Sequence, residues 1–404
     1  MSENKSTPID AFLLILVLAL AGLGLMMLLS ASTFTAEQKY GDPYYFFQPQ
    51  LRNMLIGLVL MLVLSRIRYQ FWAKLAYPIL FASMGLLLLV FVPGIGHSAN
   101  NANRWIQMPG FTFQPSELAK LAIVIFLAYS LSRKGEKNSS FFYGFVPHLL
   151  IVGALSTLIL IGRDLGTAMC VAIIAFTMMF VAGSKIWHML ILLIASVPMM
   201  YYQIVSHEFR VRRILAFMDP WADPERSGYH IIHSFYAFAT GGLWGQGPGG
   251  SMQKLFFMPE SHTDFIFSVV AEETGFIGVT VIAVIFLILI IRGISIARSA
   301  PDFCGVYMAL GCTMIVGMPA FFNMCVVTAL VPTKGLPLPF FSYGGTNLLI
   351  CFAAMGLLMN VAGQGRALAP RSGSAKVSRP KSSLREAVAR LKAGRAAGAA
   401  PAAA

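Results

Sequence analysis

The residues best suited to chemistry lie in Pro259-Glu260-Ser261-His262-Thr263-Asp264-Phe265-Ile266-Phe267. This stretch closes a moderately polar segment, opens a long apolar one and puts a carboxylate, Asp264, at the seam. A charge at membrane depth must pair or face water, so a carboxylate placed there is a functional candidate. Asp264 has no obvious partner nearby in sequence. In a partly apolar mouth its pKa would rise, which suits a general base acting on a hydroxyl. Glu272 and Glu273 follow. If a helix already runs at Asp264, Glu272 lies about 80° from it around the axis and Glu273 lies opposite. Glu272 is then the better candidate to share its cavity. A metal site built from Glu260, His262 and Asp264 is a weaker reading, because hard divalent ions take more oxygen ligands than these supply.

Other ionisable residues recur at the ends of apolar runs: Arg104, Glu117, Lys120, Arg163, Asp164 and Lys334. Glu117 and Lys120 are three apart on a helix and can form an ion pair, which either satisfies only itself or serves the site. Asp164 points away from its neighbour Arg163 and is expected to pair with a cation of another helix, such as Lys120, in a structural role. Several cations beside one carboxylate suit a phosphate-bearing substrate: Arg and Lys hold the anion, and the carboxylate takes a proton.

The elements that must position these groups are membrane helices. The 404 residues are 57% hydrophobic and only 12% charged, which excludes an ordinary soluble enzyme. About ten spans of near-bilayer length are expected, at 11–31, 52–66, 73–92, 115–132, 145–162, 166–183, 186–204, 264–292, 304–331 and 338–362. Kinks are expected at Gly317, Pro319 and Gly356. The fold class is thus an all-α integral membrane protein with a large extracytoplasmic loop, 205–263, between helices 7 and 8. The run from Ala11 to Leu29 reads as the first span and not as a removed leader. Lys and Arg cluster in alternate short loops (Arg66 to Lys74, Arg133 to Lys137, Lys185, and Arg292 with Arg298) and in the C-terminal tail. The positive-inside rule then places both termini in the cytoplasm and the ionisable set above on the outer face. The net charge of +13 is therefore a topology signal. No basic stripe interleaved with aromatics supports a nucleic-acid partner. The five cysteines form no CxxC and no cluster with histidine, so they read as packing residues. The long loop carries Arg210, Arg212 and Arg213 and a glycine-rich run from Gly241 to Gly250. It is expected to be partly helical and to lie along the membrane surface. Residues 1–10 form a short cytoplasmic N-terminus, 11–365 the membrane body, and 366–404 a basic tail expected to be disordered.

With these residues in view, the chain resembles the SEDS proteins, the bacterial cell-wall polymerases that include FtsW and RodA. The resemblance covers about residues 10–365. It rests on Asn103-Arg104-Trp105-Ile106, Gln114-Pro115-Ser116-Glu117 with Lys120, Asp164-Leu165-Gly166-Thr167, and Asp219-Pro220-Trp221 with Asp223-Pro224. It rests also on Gly228-Tyr229, Gly241-Gly242-Leu243, the Pro259–Phe267 stretch, Glu272-Glu273-Thr274-Gly275 and Pro339-Phe340-Phe341-Ser342-Tyr343-Gly344-Gly345. Leu330-Val331-Pro332-Thr333-Lys334-Gly335 is similar to the division branch more than to the elongation branch.

The resemblance implies a peptidoglycan glycosyltransferase acting on lipid II at the outer face of the inner membrane, during septal wall synthesis. It implies Asp264 as base, and Arg104, Lys120 and Lys334 as groups that hold the diphosphate or order the site. Glu272 and Ser342 are assigned with them to substrate binding, and Glu117 and Asp164 to structural support. The implied partners are a class B penicillin-binding protein and other membrane proteins of the division machinery. No cofactor is assigned, and a divalent cation such as Mg or Mn is left open. Arg163 stands where the family often has proline, which puts the geometry beside Asp164 in question, and Pro248 stiffens the glycine-rich run. The alternatives are a lipid II flippase, which needs charges along a path through the bilayer, and a non-catalytic division scaffold.

Overall fold

The computed structural model describes residues 9–368 except 95, 100–101, 109–110, 207, 257–261 and 334. Of the expected N-terminus 1–10 and tail 366–404, residues 1–8 and 369–404 lie outside the described residues. The chain opens with α1 (Ala11–Tyr40), α2 (Phe47–Arg66), a short α3 (Tyr69–Lys74) and α4 (Ala76–Leu89). Then come three strands, β1 (Gly96–Ala99), β2 (Ala102–Met108) and β3 (Phe111–Phe113), paired as an antiparallel meander. Next are α5 (Pro115–Lys134), α6 (Val146–Ile161), α7 (Leu165–Val181) and α8 (Ile186–Val205). The long connection holds α9 (Glu208–Met218), α10 (Tyr229–Gly241) and a single turn, α11 (Gln253–Phe256). The chain ends with α12 (Ile266–Ser299), α13 (Phe303–Val327) and α14 (Gly345–Leu368).

Among the described residues, α1, α2, α5, α6 with the turn before it, α12, α13 and α14 are long and apolar enough to cross a membrane. Three shorter apolar helices, α4, α7 and the first part of α8, fall where the other expected spans lie. The protein is a multi-pass membrane protein whose core is made by α5, α13 and α14. The apolar stretches of α5 and α14 are each 83% buried, against 28% for α2. Outer helices turn large apolar side chains outward, among them Ile15, Phe81, Ile194 and Val281. Water would penalise that surface and hydrocarbon does not.

Helix ends follow local chemistry. Asp10 caps α1 by accepting from the Leu13 amide at 3.2 Å, and Asp302 caps α13 from the Gly305 amide at 2.6 Å, both as N-caps do. Pro115 opens α5, where its missing N–H costs nothing. The expected spans change at three places. Helix α12 begins at Ile266, two residues after Asp264, and runs on to Ser299. The described residues of 328–344 are non-helical between α13 and α14; Leu336, Leu338, Phe340 and Phe341 make the second half as apolar as a span because that half folds back into the protein and is buried, whereas Leu330 in the first half is 69% exposed. The expected loop 93–114 carries the three strands, which lack the clean alternation that would have announced them.

Helix α13 runs unbroken through Gly317 and Pro319. Gly356 instead lets α14 meet α2, since a Cβ there would lie 2.6 Å from the Met61 carbonyl oxygen. The backbone breaks in α12, at Gly275, with φ 66° and ψ −169°. Essentially only glycine occupies that region.

Candidate active site

Asp264 lies at the mouth of a cavity of about 2520 Å³. Three contacts fix its backbone and that of its neighbours. Asn323 of α13 donates through Nδ2 to the Asp264 carbonyl at 2.8 Å and to the Leu336 carbonyl at 2.8 Å. Ser342 donates through Oγ to the Thr263 carbonyl at 2.6 Å and accepts from the Leu338 amide at 2.8 Å. The Tyr343 amide donates to the His262 carbonyl at 2.9 Å. The Asp264 carboxylate rests against Gly335, where a Cβ would meet Oδ2 at 2.9 Å. Two buried polar clasps, Asn323 and Ser342, thus bind the Asp264 segment to the 328–344 segment.

Cations from four separate segments line the same cavity: Arg52 of α2, Arg104 of β2, Arg163 of the α6–α7 turn, and Arg210 and Arg213 of α9. Arg104 donates to the Arg163 carbonyl. Arg213 donates to the Thr333 carbonyl at 3.4 Å. Burial pulls the Arg213 guanidinium below its ordinary value; Asp264 opposes that and Arg104 reinforces it. Burial does the same to Arg210, with Arg163 and Arg104 adding repulsion. Guanidinium groups stay charged through such shifts. The cluster is therefore a concentrated positive field beside Asp264, and it suits an anion with several oxygens.

The remaining candidates divide. Glu117 lines the cavity and Asn347 donates to it at 2.8 Å, while Lys120, 2% exposed, sits behind it in an ion pair of 2.8 Å. The expected pair forms, but it is Glu117 that reaches the cavity wall. Lys120 does not pair with Asp164. Asp164 caps α7 from the Thr167 amide at 3.1 Å and accepts from Ser116 at 3.0 Å and Gln114 at 3.1 Å. The geometry beside Asp164 is set by Arg163 at φ 61°, a conformation closed to proline.

Glu272 and Ser342 depart from substrate binding. Glu272 is 1% exposed and turns away from the cavity to accept from Ser251, from the Met252 amide at 3.1 Å and from the Gln253 amide at 3.3 Å. The 80° argument fails because no helix runs at Asp264. Ser342 is a clasp and not a wall residue. Lys334 lies outside the described residues, between Thr333 and Gly335, which both line the cavity.

For the metal reading, Glu260 also lies outside the described residues, and the His262 ring packs on Phe46 at 4.5 Å. Among the described residues no three His, Cys, Asp or Glu side chains gather as a metal site would need. Arg52, Arg210, Arg213, Asn323 and Gln50, whose Nε2 donates to the Ser342 carbonyl at 3.1 Å, are the site residues that spacing alone did not mark. Polar side chains inside apolar helices were the available signal for Asn323 and Gln50. For α9 it was the three-residue step from Arg210 to Arg213, which puts both on one face.

Away from its polar mouth the cavity continues as an apolar groove, walled by Leu149 and Val152 of α6, Ile173 and Phe176 of α7, and Leu193 of α8. The site thus suits an amphiphile with a polyanionic head and a long apolar tail.

Comparison with known proteins agrees with this architecture. A family model described as a cell cycle protein, covering FtsW, RodA and SpoVE, matches residues 11–367. Probable peptidoglycan glycosyltransferase FtsW of Geobacter metallireducens is 46% identical over 352 residues, 87% of this chain and 94% of that protein. A chain from a solved peptidoglycan synthase complex that coordinates polymerization and crosslinking has a TM-score of 0.72 and 29% identity, covering 88% of this chain and 98% of that one. The crystal structure of the rod shape determining protein RodA of Thermus thermophilus has a TM-score of 0.65 and 28% identity, covering 90% of this chain and 98% of that one. By sequence match and by fold, the chain belongs to the FtsW, RodA and SpoVE family of cell cycle proteins.

Proposed function

We propose that the protein is a peptidoglycan glycosyltransferase of the division branch, which polymerises lipid II into glycan strands. One observation carries this reading: a single cavity joins Asp264 and the arginine cluster to an apolar groove. A sugar linked through diphosphate to a polyprenyl chain has the matching head and tail. The Asp264 carboxylate takes the proton of an acceptor sugar hydroxyl as that oxygen bonds to the donor's anomeric carbon. The bond from that carbon to the diphosphate breaks, and the diphosphate leaves with the bonding electron pair. Arg104, Arg163, Arg210 and Arg213 stabilise the charge that develops on it. Glu117 and Asp164 line the same cavity and are held by Asn347 and Ser116. A divalent ion, if the reaction uses one, would enter on the diphosphate.

The site is assigned to the outer face of the inner membrane, with both termini cytoplasmic, by the alternation of basic loops. The same assignment makes 205–263 the large outer loop and 366–404 a basic cytoplasmic tail. Likeness to relatives named FtsW supports a place at the division septum. The partner is a class B penicillin-binding protein, within a larger set of division membrane proteins. Likeness to a complex that couples polymerization to crosslinking supports this. A flippase has less support, because Asp264 and the arginines gather at one mouth instead of following a path across the bilayer.

The test is polymerisation of lipid II by the purified protein with its penicillin-binding partner. Asp264→Ala is expected to stop strand formation while the protein stays folded. Strand formation at the wild-type rate by that variant would remove Asp264 from its role. Labelling of a cysteine at position 262 from outside intact cells tests the orientation, and labelling only from the cytoplasm would reverse it.

A further inference from the structure

Glu273 and Lys254 form a buried ion pair that the reaction outlined above does not use. Lys254 Nζ lies 2.6 Å from Glu273 Oε1, with the two side chains 6% and 1% exposed. Ser30 of α1 completes a triangle: its Oγ donates to Glu273 Oε1 at 2.6 Å and accepts from Lys254 Nζ at 2.8 Å. Three distant parts of the chain therefore meet at one charge pair: α1, the turn α11 and the start of α12.

The position of this triangle gives it meaning. Helix α12 is divided at Gly275, which leaves residues 266–274 as a separate, buried half-helix. Asp264 stands just before its first residue and Glu273 lies next to its last. The glycine-rich run closes the break on both sides. The Gln246 and Gly247 amides donate to the Glu272 and Glu273 carbonyls at 2.9 and 3.0 Å. The Phe276 and Ile277 amides donate to the Gly242 and Leu243 carbonyls at 2.9 and 3.3 Å. These bonds satisfy backbone groups that a broken membrane helix would otherwise leave orphaned. They admit no bulk: a Cβ on Gly245 would lie 2.2 Å from the Glu273 carbonyl oxygen, and one on Gly275 would lie 2.4 Å from the Gly245 nitrogen. Glu272 holds α11 from the other side through Ser251 and the Met252 and Gln253 amides. Midway along, Ser234 of α10 contacts Ser268 at 2.9 Å.

We propose that Ser30, Lys254 and Glu273 are positioning residues for Asp264. They brace the far end of half-helix 266–274, so that the carboxylate at its near end keeps its place between Gly335 and the arginine cluster. The 242–256 loop, tied to that end by both glutamates, becomes a handle on the catalytic group. This inference rests on the glycosyltransferase reading for what turnover means. A brace of this kind acts on the chemical step and not on substrate affinity, because none of its members lines the cavity. Misplacing a reacting group by a fraction of an ångström slows the step while leaving distant binding contacts intact.

The experiment is steady-state polymerisation of lipid II by the full-length protein with its penicillin-binding partner, alongside thermal unfolding. Glu273→Gln is expected to lower kcat about tenfold with KM within about twofold of wild type. Exchanging the charges, Lys254→Glu with Glu273→Lys, is expected to recover more than half of the lost kcat. Ser30→Ala, which deletes one hydroxyl and no charge, is expected to lower kcat about threefold at unchanged Tm. It carries the test if Glu273→Gln does not fold. A folded Glu273→Gln with wild-type kcat, a defect confined to KM, or a Ser30→Ala variant at full speed would each overturn the brace. Wild-type protein that makes no polymer would overturn the glycosyltransferase reading, and the brace with it.

Discussion

Each end of the bundle carries an aspartate among arginines, and the two are built in opposite ways. At one end Asp10 is fully buried. Its Oδ2 accepts from Arg292 Nε at 3.1 Å and Nη2 at 2.6 Å, and from Arg366 Nη2 at 2.7 Å. Its Oδ1 takes the Leu13 amide. That carboxylate is saturated, and it locks α1, α12 and α14 together. Nearby, Tyr69 donates to Asp302 at 2.9 Å, and Asn360 ties the Tyr69 amide to the Ser65 carbonyl, both at 2.8 Å. Every partner there comes from a helix or its cap. At the other end Asp264 sits on irregular backbone, beside a broken helix, in a cavity walled by arginines. Among the described residues, two of the three non-glycine residues with positive φ, Arg163 and Phe340, lie in the turns around that cavity. The third, Ala329, begins the 328–344 segment. Strain of this kind persists only where surrounding structure enforces it. The same residue types therefore make a rivet at one end and a reactive site at the other. Whether the charges satisfy one another or face an open volume decides which.

The largest effect that separates the ends is on turnover. Asp264→Asn is nearly isosteric and removes the proton acceptor, so polymerisation should fall by about 100-fold or more with Tm unchanged. Asp10→Asn should do the reverse and cost about 1–3 kcal/mol of stability, since its arginines reach water and are not stranded. Its kcat should stay normal in the fraction that folds. An Asp10→Asn protein with wild-type Tm but little activity would break the comparison.

The acid limb gives a smaller, related signal. Burial alone would raise the Asp10 pKa; the Arg292 hydrogen bonds, the Leu13 amide and the charges of both arginines outweigh it and hold the group below the ordinary 3.8. A depressed folded pKa means that its stabilisation is present above 3.8 and is lost as pH falls through the lower folded value. Unfolding midpoints of wild type and Asp10→Asn should converge on acidification below pH 3.8. A gap that stays constant there would remove the ion pair from the account.

What could be read from the chain follows the same division. The rivet end is helical, and the spans that form it announce themselves as apolar runs whose length the bilayer sets. Asp264, Arg104, Glu117 and Asp164 were legible as members of one site because charges are scarce in such a chain and must gather. The break at Gly275 was not, because it lies inside an apolar run and depends on contacts with Gly242–Gly247, about 30 residues earlier. Glu272 was misplaced for a separate reason: its direction was inferred from a helix running at Asp264, and that helix starts at Ile266. Lys120 sits behind Glu117 in their ion pair, and sharing a face does not say which member reaches the cavity. Residues 338–344 were read as the start of the last span because Leu338, Phe340 and Phe341 are buried inside the protein, and hydropathy cannot tell burial in protein from burial in lipid.

The smallest effects fall within helix α9. Arg210 and Arg213 line the cavity, whereas Arg212 pairs with Glu208 at 2.5 Å on a face where the two side chains are 53% and 79% exposed. If the arginine cluster holds a substrate anion directly, position must matter and charge count must not. Arg213→Ala should then raise KM for lipid II about tenfold, as loss of one charge-assisted contact does. Arg210→Ala should follow with a smaller rise. Arg212→Ala removes the same charge from the same helix and should leave KM and Tm where they were, because an exposed pair contributes little. Equal rises in KM at 212 and 213 would mean that α9 acts through the general field of the 205–263 connection. That rise would then fade with added salt, since exposed charges are screened beyond about 8–10 Å. A rise confined to 210 and 213 that persists in salt would place these arginines on the substrate itself.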